Sequence, residues 1–143
     1  MRLAVDANIV FAALLAPRGT TASILFSERL KLFAPEYLLE ELAEYENSLR
    51  ERAGYTKEGL RIALEAIPRV ITLVGIETLR PYIEPASNAC PDKHDVNYFA
   101  LAMKLRCPLW SNDRRLKTQR EVEVLDTAEV IRLLEKGATR RRH

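Results

Sequence analysis

RLAVDANIV, residues 2–10, joins an apolar run to a helix through a single carboxylate, Asp6. Leu3, Ala4 and Val5 are continuously apolar instead of alternating with polar residues, which is the pattern of a parallel strand buried on both faces. Ile9 to Leu15 then reads as a short helix, stopped by Pro17 and Gly19. The remainder of the chain repeats this hand-over from strand to helix. Thr20 or Thr21 is placed to cap a helix through Leu30, and Lys31 to Ala34 reads as a second strand. Pro35 suits a first helical turn, so the spacing predicts one helix to about Arg52, with Leu38, Leu42, Tyr45 and Leu49 on one face and Gly54 ending it. Thr56, Glu58 and the stripe Leu60, Ala63, Leu64 and Ile67 predict another helix, closed by Pro68, and Val70 to Val74 reads as a third strand.

Pro81, Pro85 and Pro91 fall within the next segment, which is therefore expected to cross irregularly over the sheet. A helix from about His94 carries Val96, Phe99, Ala100 and Met103 on its inner face. Pro108 to Ser111 reads as a fourth strand, with Trp110 in the core, and Val122 to Leu125 as a fifth. Asp126 and Glu129 form a capping box for a last helix through Leu134. The expected fold is a three-layer α/β/α sandwich around a parallel sheet of about five strands, with right-handed crossovers. One domain over residues 1–136 and a basic tail over residues 137–143 complete the expected organisation, and no internal repeat is present.

A chain of 143 residues can bury a core without disulfides or a structural metal. The net charge of +2 does not by itself mark a nucleic-acid binder, although Arg114, Arg115, Lys117, Arg120 and Arg140 to Arg142 gather near the end. No apolar run approaches the roughly 20 residues that cross a bilayer, and the N-terminus lacks a signal-peptide pattern. A soluble cytoplasmic protein with no membrane partner is the expectation. Cys90 and Cys107 form neither a Cys-x-x-Cys pair nor a zinc spacing, and they flank a helix of roughly 18 Å. Free thiols are therefore expected, the alternative being a disulfide across that helix.

Four acidic clusters remain to be accounted for: Asp6, Glu40 with Glu41, Asp92 with Asp95, and Asp113. Asp6 and Asp113 each follow a predicted strand, and in open parallel sheets ligands bind beyond the carboxyl ends of the strands. Their order and context, in Asp6-Ala7-Asn8, Glu40-Glu41-Leu42, Asp95 leading into Ala100-Leu101-Ala102, and Ser111-Asn112-Asp113, resemble the acidic motifs of the PIN domain family. The resemblance spans Leu3 to about Leu134. It implies a magnesium- or manganese-dependent nuclease cutting RNA, of the VapC toxin kind or a relative, with an antitoxin and a homodimer as possible partners. By position it makes Asp6, Glu41 or its neighbour, Asp95 and Asp113 the catalytic and metal-binding acids. Asn8 and Ser111 match polar residues that orient ligands or substrate.

The chemistry of the residues agrees independently. Mg²⁺ and Mn²⁺ are hard ions that prefer oxygen ligands, and they can polarise a phosphoryl oxygen and lower the pKa of a bound water. The chain has only His94 and His143, so no Ser-His-Asp or Cys-His arrangement competes, and His94 reads as half-exposed in a first helical turn. Glu41 lies beside the stripe of Leu38, Leu42 and Tyr45, whereas Glu40 joins Glu36 and Glu44 in a row of like charges. Glu41 is therefore favoured. Asp95 leads directly into the apolar helix, while Asp92 suits an N-cap and a supporting role. Lys93, Arg114 and Arg115 are placed to contact phosphates that carboxylates alone would repel. A strand-end aspartate also begins haloacid-dehalogenase-type phosphatases, but those need an aspartate where Asn8 stands. A non-catalytic RNA- or protein-binding scaffold is the other alternative.

Overall fold

Five short parallel strands carry the fold, paired in the order β3-β2-β1-β4-β5. The structure, a computed structural model, describes residues 1–141 and the side chains of residues 1–137. In chain order the elements are β1 (Arg2–Val5), α1 (Ala7–Leu15), α2 (Thr20–Leu25), β2 (Lys31–Pro35), α3 (Tyr37–Glu44), α4 (Glu46–Ala53), α5 (Lys57–Val70) and β3 (Ile71–Val74). There follow α6 (Ile76–Ala89), α7 (Val96–Leu105), β4 (Leu109–Trp110), β5 (Val124–Leu125) and α8 (Thr127–Arg141). This is the expected three-layer α/β/α sandwich with a five-stranded parallel sheet. Leu3, Ala4 and Val5 of the central strand are fully buried, as continuous apolar character requires of a strand covered on both faces. Trp110 is fully buried too, its indole N–H donating to Thr127 Oγ1 at 3.0 Å.

The ladder extends past the strands into the residues that matter for function. Asp6 N–H donates to Trp110 O at 3.0 Å, and Ser111 N–H donates to Leu125 O at 2.9 Å. The backbone of both is thereby fixed as though it were still strand. Just past the carboxyl end of the edge strand β5, Asp126 and Glu129 make the expected capping box, each side chain accepting the other's backbone N–H, at 2.8 and 3.1 Å.

The structure corrects several expected boundaries. Residues 76–89, expected to be irregular, form α6 with both Pro81 and Pro85 inside it. Leu79, Tyr82, Ile83 and Ala86 recur at helical spacing and pack toward the core, while the two prolines, four apart, lie on the exposed side. Each proline forfeits one backbone bond on the wet face, and the packing of α6 along α7 outweighs that loss. Pro68 likewise lies inside α5, and that helix runs directly into β3. Pro35 ends β2, paired with Val74, instead of opening a helix. The long helix expected after it breaks at Tyr45 into α3 and α4, and the Tyr45 ring leaves the buried stripe to meet Phe11 edge-on, with centroids 5.1 Å apart. The helix expected through Leu30 ends at Leu25. His94 belongs to a 3-10 turn, Lys93–Asp95, and α7 starts at Val96. Cys90 and Cys107 are free thiols. The α8 backbone stays helical through Arg141, so it takes in part of the expected basic tail; the side chains of Arg140 to Arg142 lie outside the described residues. No helix among the described residues is long and apolar enough to cross a membrane.

Candidate metal centre

The sheet order places β1 beside both β2 and β4, so the chain's winding reverses between β1 and β4. A crevice opens beyond the carboxyl ends of strands at such a switch point. Asp6 follows β1 and Asp113 closes the turn after β4. Asp6 also N-caps α1, its Oδ1 accepting the Asn8 N–H at 3.4 Å. Ser111 ties the two acids together: its hydroxyl donates to Asp6 Oδ2 at 2.7 Å, and its Oγ accepts the Asp113 N–H at 3.1 Å. Asn112, between them, turns away to accept the backbone N–H and the hydroxyl of Thr127 at 2.9 and 3.1 Å, which anchors the start of α8.

The other acids reach the same crevice from α3 and from the turn before α7. One carboxylate oxygen from each of Asp92, Asp95 and Asp113 lies within 4.8 Å of the others. Asp6 and Glu41 stand outside that tight group yet close enough for their charges to act on Asp95. Burial pushes the Asp95 carboxyl up to about 7, helped by the negative charges of Asp6, Asp92, Asp113 and Glu41. Burial also raises Asp6, which is 2% exposed, and Glu41. Asp113 goes the other way, because the Arg115 guanidinium holds it below the usual carboxylate range. Opposed shifts among neighbouring carboxyls are what a partly buried cluster lacking enough positive charge should display.

The donor set suits a hard divalent cation. All the candidate ligands are carboxylate oxygens, and ligands at about 2.1 Å from Mg²⁺ lie at most about 4.2 Å apart, comparable with the spacing of the tight group. A statistical description of the PIN domain matches residues 4–133. The chain belongs to the PIN domain family. The fold is shared with a chain in the crystal structure of VapBC2 from Rickettsia felis bound to a DNA fragment from their promoter. The likeness has a TM-score of 0.66 at 13% identity and covers 88% of this chain and 98% of that one. No curated protein sequence matches the chain significantly.

Two further residues take part in the crevice of this PIN domain. Asp92, assigned a supporting role, belongs to the tight carboxylate group while also capping the 3-10 turn through the His94 N–H at 3.0 Å. Tyr98 was missed altogether: it is 1% exposed, and its hydroxyl donates to Glu41 Oε1 at 2.6 Å. Its position three residues after Asp95 puts it on the same side of the helix start, and that spacing was the available signal. Of the cations, Arg115 contacts the acids, whereas Lys93 is exposed and lines a hollow with Tyr37, Glu41, His94 and Asn97. Arg114 is exposed. Asn8 lines a larger groove of about 400 Å³ that runs from Glu41 past Phe11 and Tyr45 to Arg52.

Proposed function

We propose that this PIN domain is a metal-dependent endoribonuclease, the toxin of a toxin-antitoxin pair or a close relative. The observation that carries the reading is the convergence of Asp6, Glu41, Asp92, Asp95 and Asp113 at the β1/β4 switch point, with Asp95 raised to about 7. Asp95, Asp113 and Asp92 would hold Mg²⁺ or Mn²⁺, with Asp6 and Glu41 completing or supporting the set. The ion, when bound, polarises a phosphoryl oxygen and acidifies a water. Ser111 keeps Asp6 and Asp113 in register, which is its contribution to positioning. Tyr98 occupies Glu41 Oε1, which leaves Oε2 as the oxygen that would accept a proton from attacking water, and the raised carboxyl suits that role. Lys93 and Arg114, both exposed, are proposed to meet the RNA backbone, and Asn8 to orient the strand along its groove. A cognate antitoxin and a second copy of the chain are the proposed protein partners.

Incubation of purified protein with single-stranded and structured RNA, with Mn²⁺ or with EDTA, tests the reading. Cleavage with Mn²⁺ and none with EDTA is expected. Cleavage that persists in EDTA, or stabilisation by Mn²⁺ with no RNA cut, would remove the ribonuclease reading.

The choice between neighbouring glutamates yields a sharper expectation. Glu41 is half-buried and held by Tyr98, whereas Glu40 is exposed. Glu41→Gln keeps an oxygen for the Tyr98 hydroxyl but loses the charge. It should lower metal-dependent cleavage about tenfold or more relative to Glu40→Gln, on the scale seen for groups that support a metal site. Parallel assays on the two folded variants decide it, and the reverse ranking would reassign the site to Glu40.

A further inference from the structure

Arg115 makes an unusual set of contacts for a side chain that is 70% exposed. Its Nε–H donates to Asp113 Oδ1 at 3.1 Å and its Nη2–H to Asp113 Oδ2 at 2.9 Å, so the guanidinium fork takes both oxygens of that carboxylate. The same Nη2 donates to Asp92 Oδ2 at 3.2 Å. Two of the three carboxylates in the tight group are thus bridged by one guanidinium. The backbone beneath is pinned, since Arg115 N–H donates to Asp113 Oδ1 at 3.0 Å and opens the 3-10 turn Arg114–Thr118. Only the side chain is free to leave, and nothing buries it. The neighbouring cations are used differently: Lys117 turns to Asp126 and Glu129, and Arg114 makes no ion pair with the acids among the described residues.

We propose that Arg115 is a built-in counter-ion of the carboxylate cluster, competing with the divalent cation for Asp113 and Asp92 and so setting the metal concentration at which the site fills. The inference rests on the metal-nuclease reading and concerns how that same site is regulated. A guanidinium and a divalent cation cannot share the lone pairs of one carboxylate at full strength, so each metal-binding event must displace the fork from at least part of Asp113. The displaced side chain swings outward on its fixed backbone, and its charge then lies at the rim of the crevice. Bidentate contact makes the competition local and geometric. A cation of equal charge one residue away, without these bonds, should matter far less.

Calorimetric titration of the metal-free protein with Mn²⁺ alone tests this, using wild type, Arg115→Ala and Arg114→Ala, with melting curves to check folding. Each variant removes one positive charge from adjacent exposed positions, but only the first removes the fork. Arg115→Ala is expected to tighten Mn²⁺ binding about three- to tenfold, and Arg114→Ala by less than about twofold, from the modest strength of exposed charge pairs. Equal affinities for wild type and Arg115→Ala, or equal tightening by the two variants, would overturn the role of Arg115 and leave the metal-nuclease reading standing. Failure of all three proteins to bind Mn²⁺ would overturn that reading and this inference with it.

Discussion

Asp6→Asn and Asp113→Asn are each expected to cut metal-dependent RNA cleavage by about a hundredfold or more, the scale on which loss of one charge-stabilising group lowers turnover. Their effects on stability should differ, and the difference follows from where the two acids sit. Asp6 is 2% exposed and its ionised form is disfavoured by burial and by Asp113. Asparagine serves about as well at a helix N-cap, and the Ser111 hydroxyl can accept as readily as donate. Removing the charge therefore costs little and relieves repulsion, so Asp6→Asn should melt at the same temperature as the metal-free wild type or above it. Asp113 already has its compensating cation in Arg115. Asp113→Asn breaks that pair without relieving a disfavoured charge, and it should melt at the same temperature or slightly below. Activity retained by either variant at saturating Mn²⁺, with both melting normally, would show that the acid in question does not belong to the site.

Hydrophobic phase made most of the fold legible, and it went unread where proline spoke louder. The uninterrupted Leu3-Ala4-Val5 and the capping box at Asp126 are local signals, and each element appears where they put it. Residues 76–89 carried an equally good local signal, Leu79, Tyr82, Ile83 and Ala86 at helical spacing, but Pro81 and Pro85 argued for a loop. A proline's lost backbone bond is tolerable where it falls on the solvent face, as it does at both positions. The site divides in the same way. Strand ends announce Asp6 and Asp113, because a buried strand must stop somewhere and a carboxylate marks the stop. Tyr98 could not be assigned, since a tyrosine in an apolar helix reads as core until its partner on another helix is known. The Glu41–Tyr98 bond spans 57 positions in the chain. The fork of Arg115 across Asp113 and Asp92 depends on a loop conformation that composition does not encode. Charge clusters are visible in sequence, but who neutralises whom is a property of the fold.

The metal-free protein should lose stability as pH rises from about 4 to about 7, and Asp95→Asn should abolish much of that slope. Asp95 is raised from the ordinary aspartate range to about 7, chiefly by burial and then by its acidic neighbours. A carboxyl that holds its proton more tightly folded than unfolded contributes stability that is fully present below the unfolded value. That contribution declines as pH climbs through the window and is gone above the folded value. Asp6 and Glu41, also raised, add to the slope with the same sign. Asp113, lowered by Arg115, has the opposite sign, but it is ionised in both states above about pH 5 and falls silent there. Melting curves in EDTA at pH 5, 6, 7 and 8 should therefore show wild type falling relative to Asp95→Asn, with the gap nearly complete by pH 8. Metal reverses the relation, because carboxylates bind cations only when deprotonated. Mn²⁺ affinity of the wild type should rise by about tenfold per pH unit below 7, where binding one ion expels one proton, and level off above it. Wild type and Asp95→Asn that melt in parallel across this range, or an Mn²⁺ affinity flat from pH 5 to 8, would mean that Asp95 is not the proton-bearing member of the cluster.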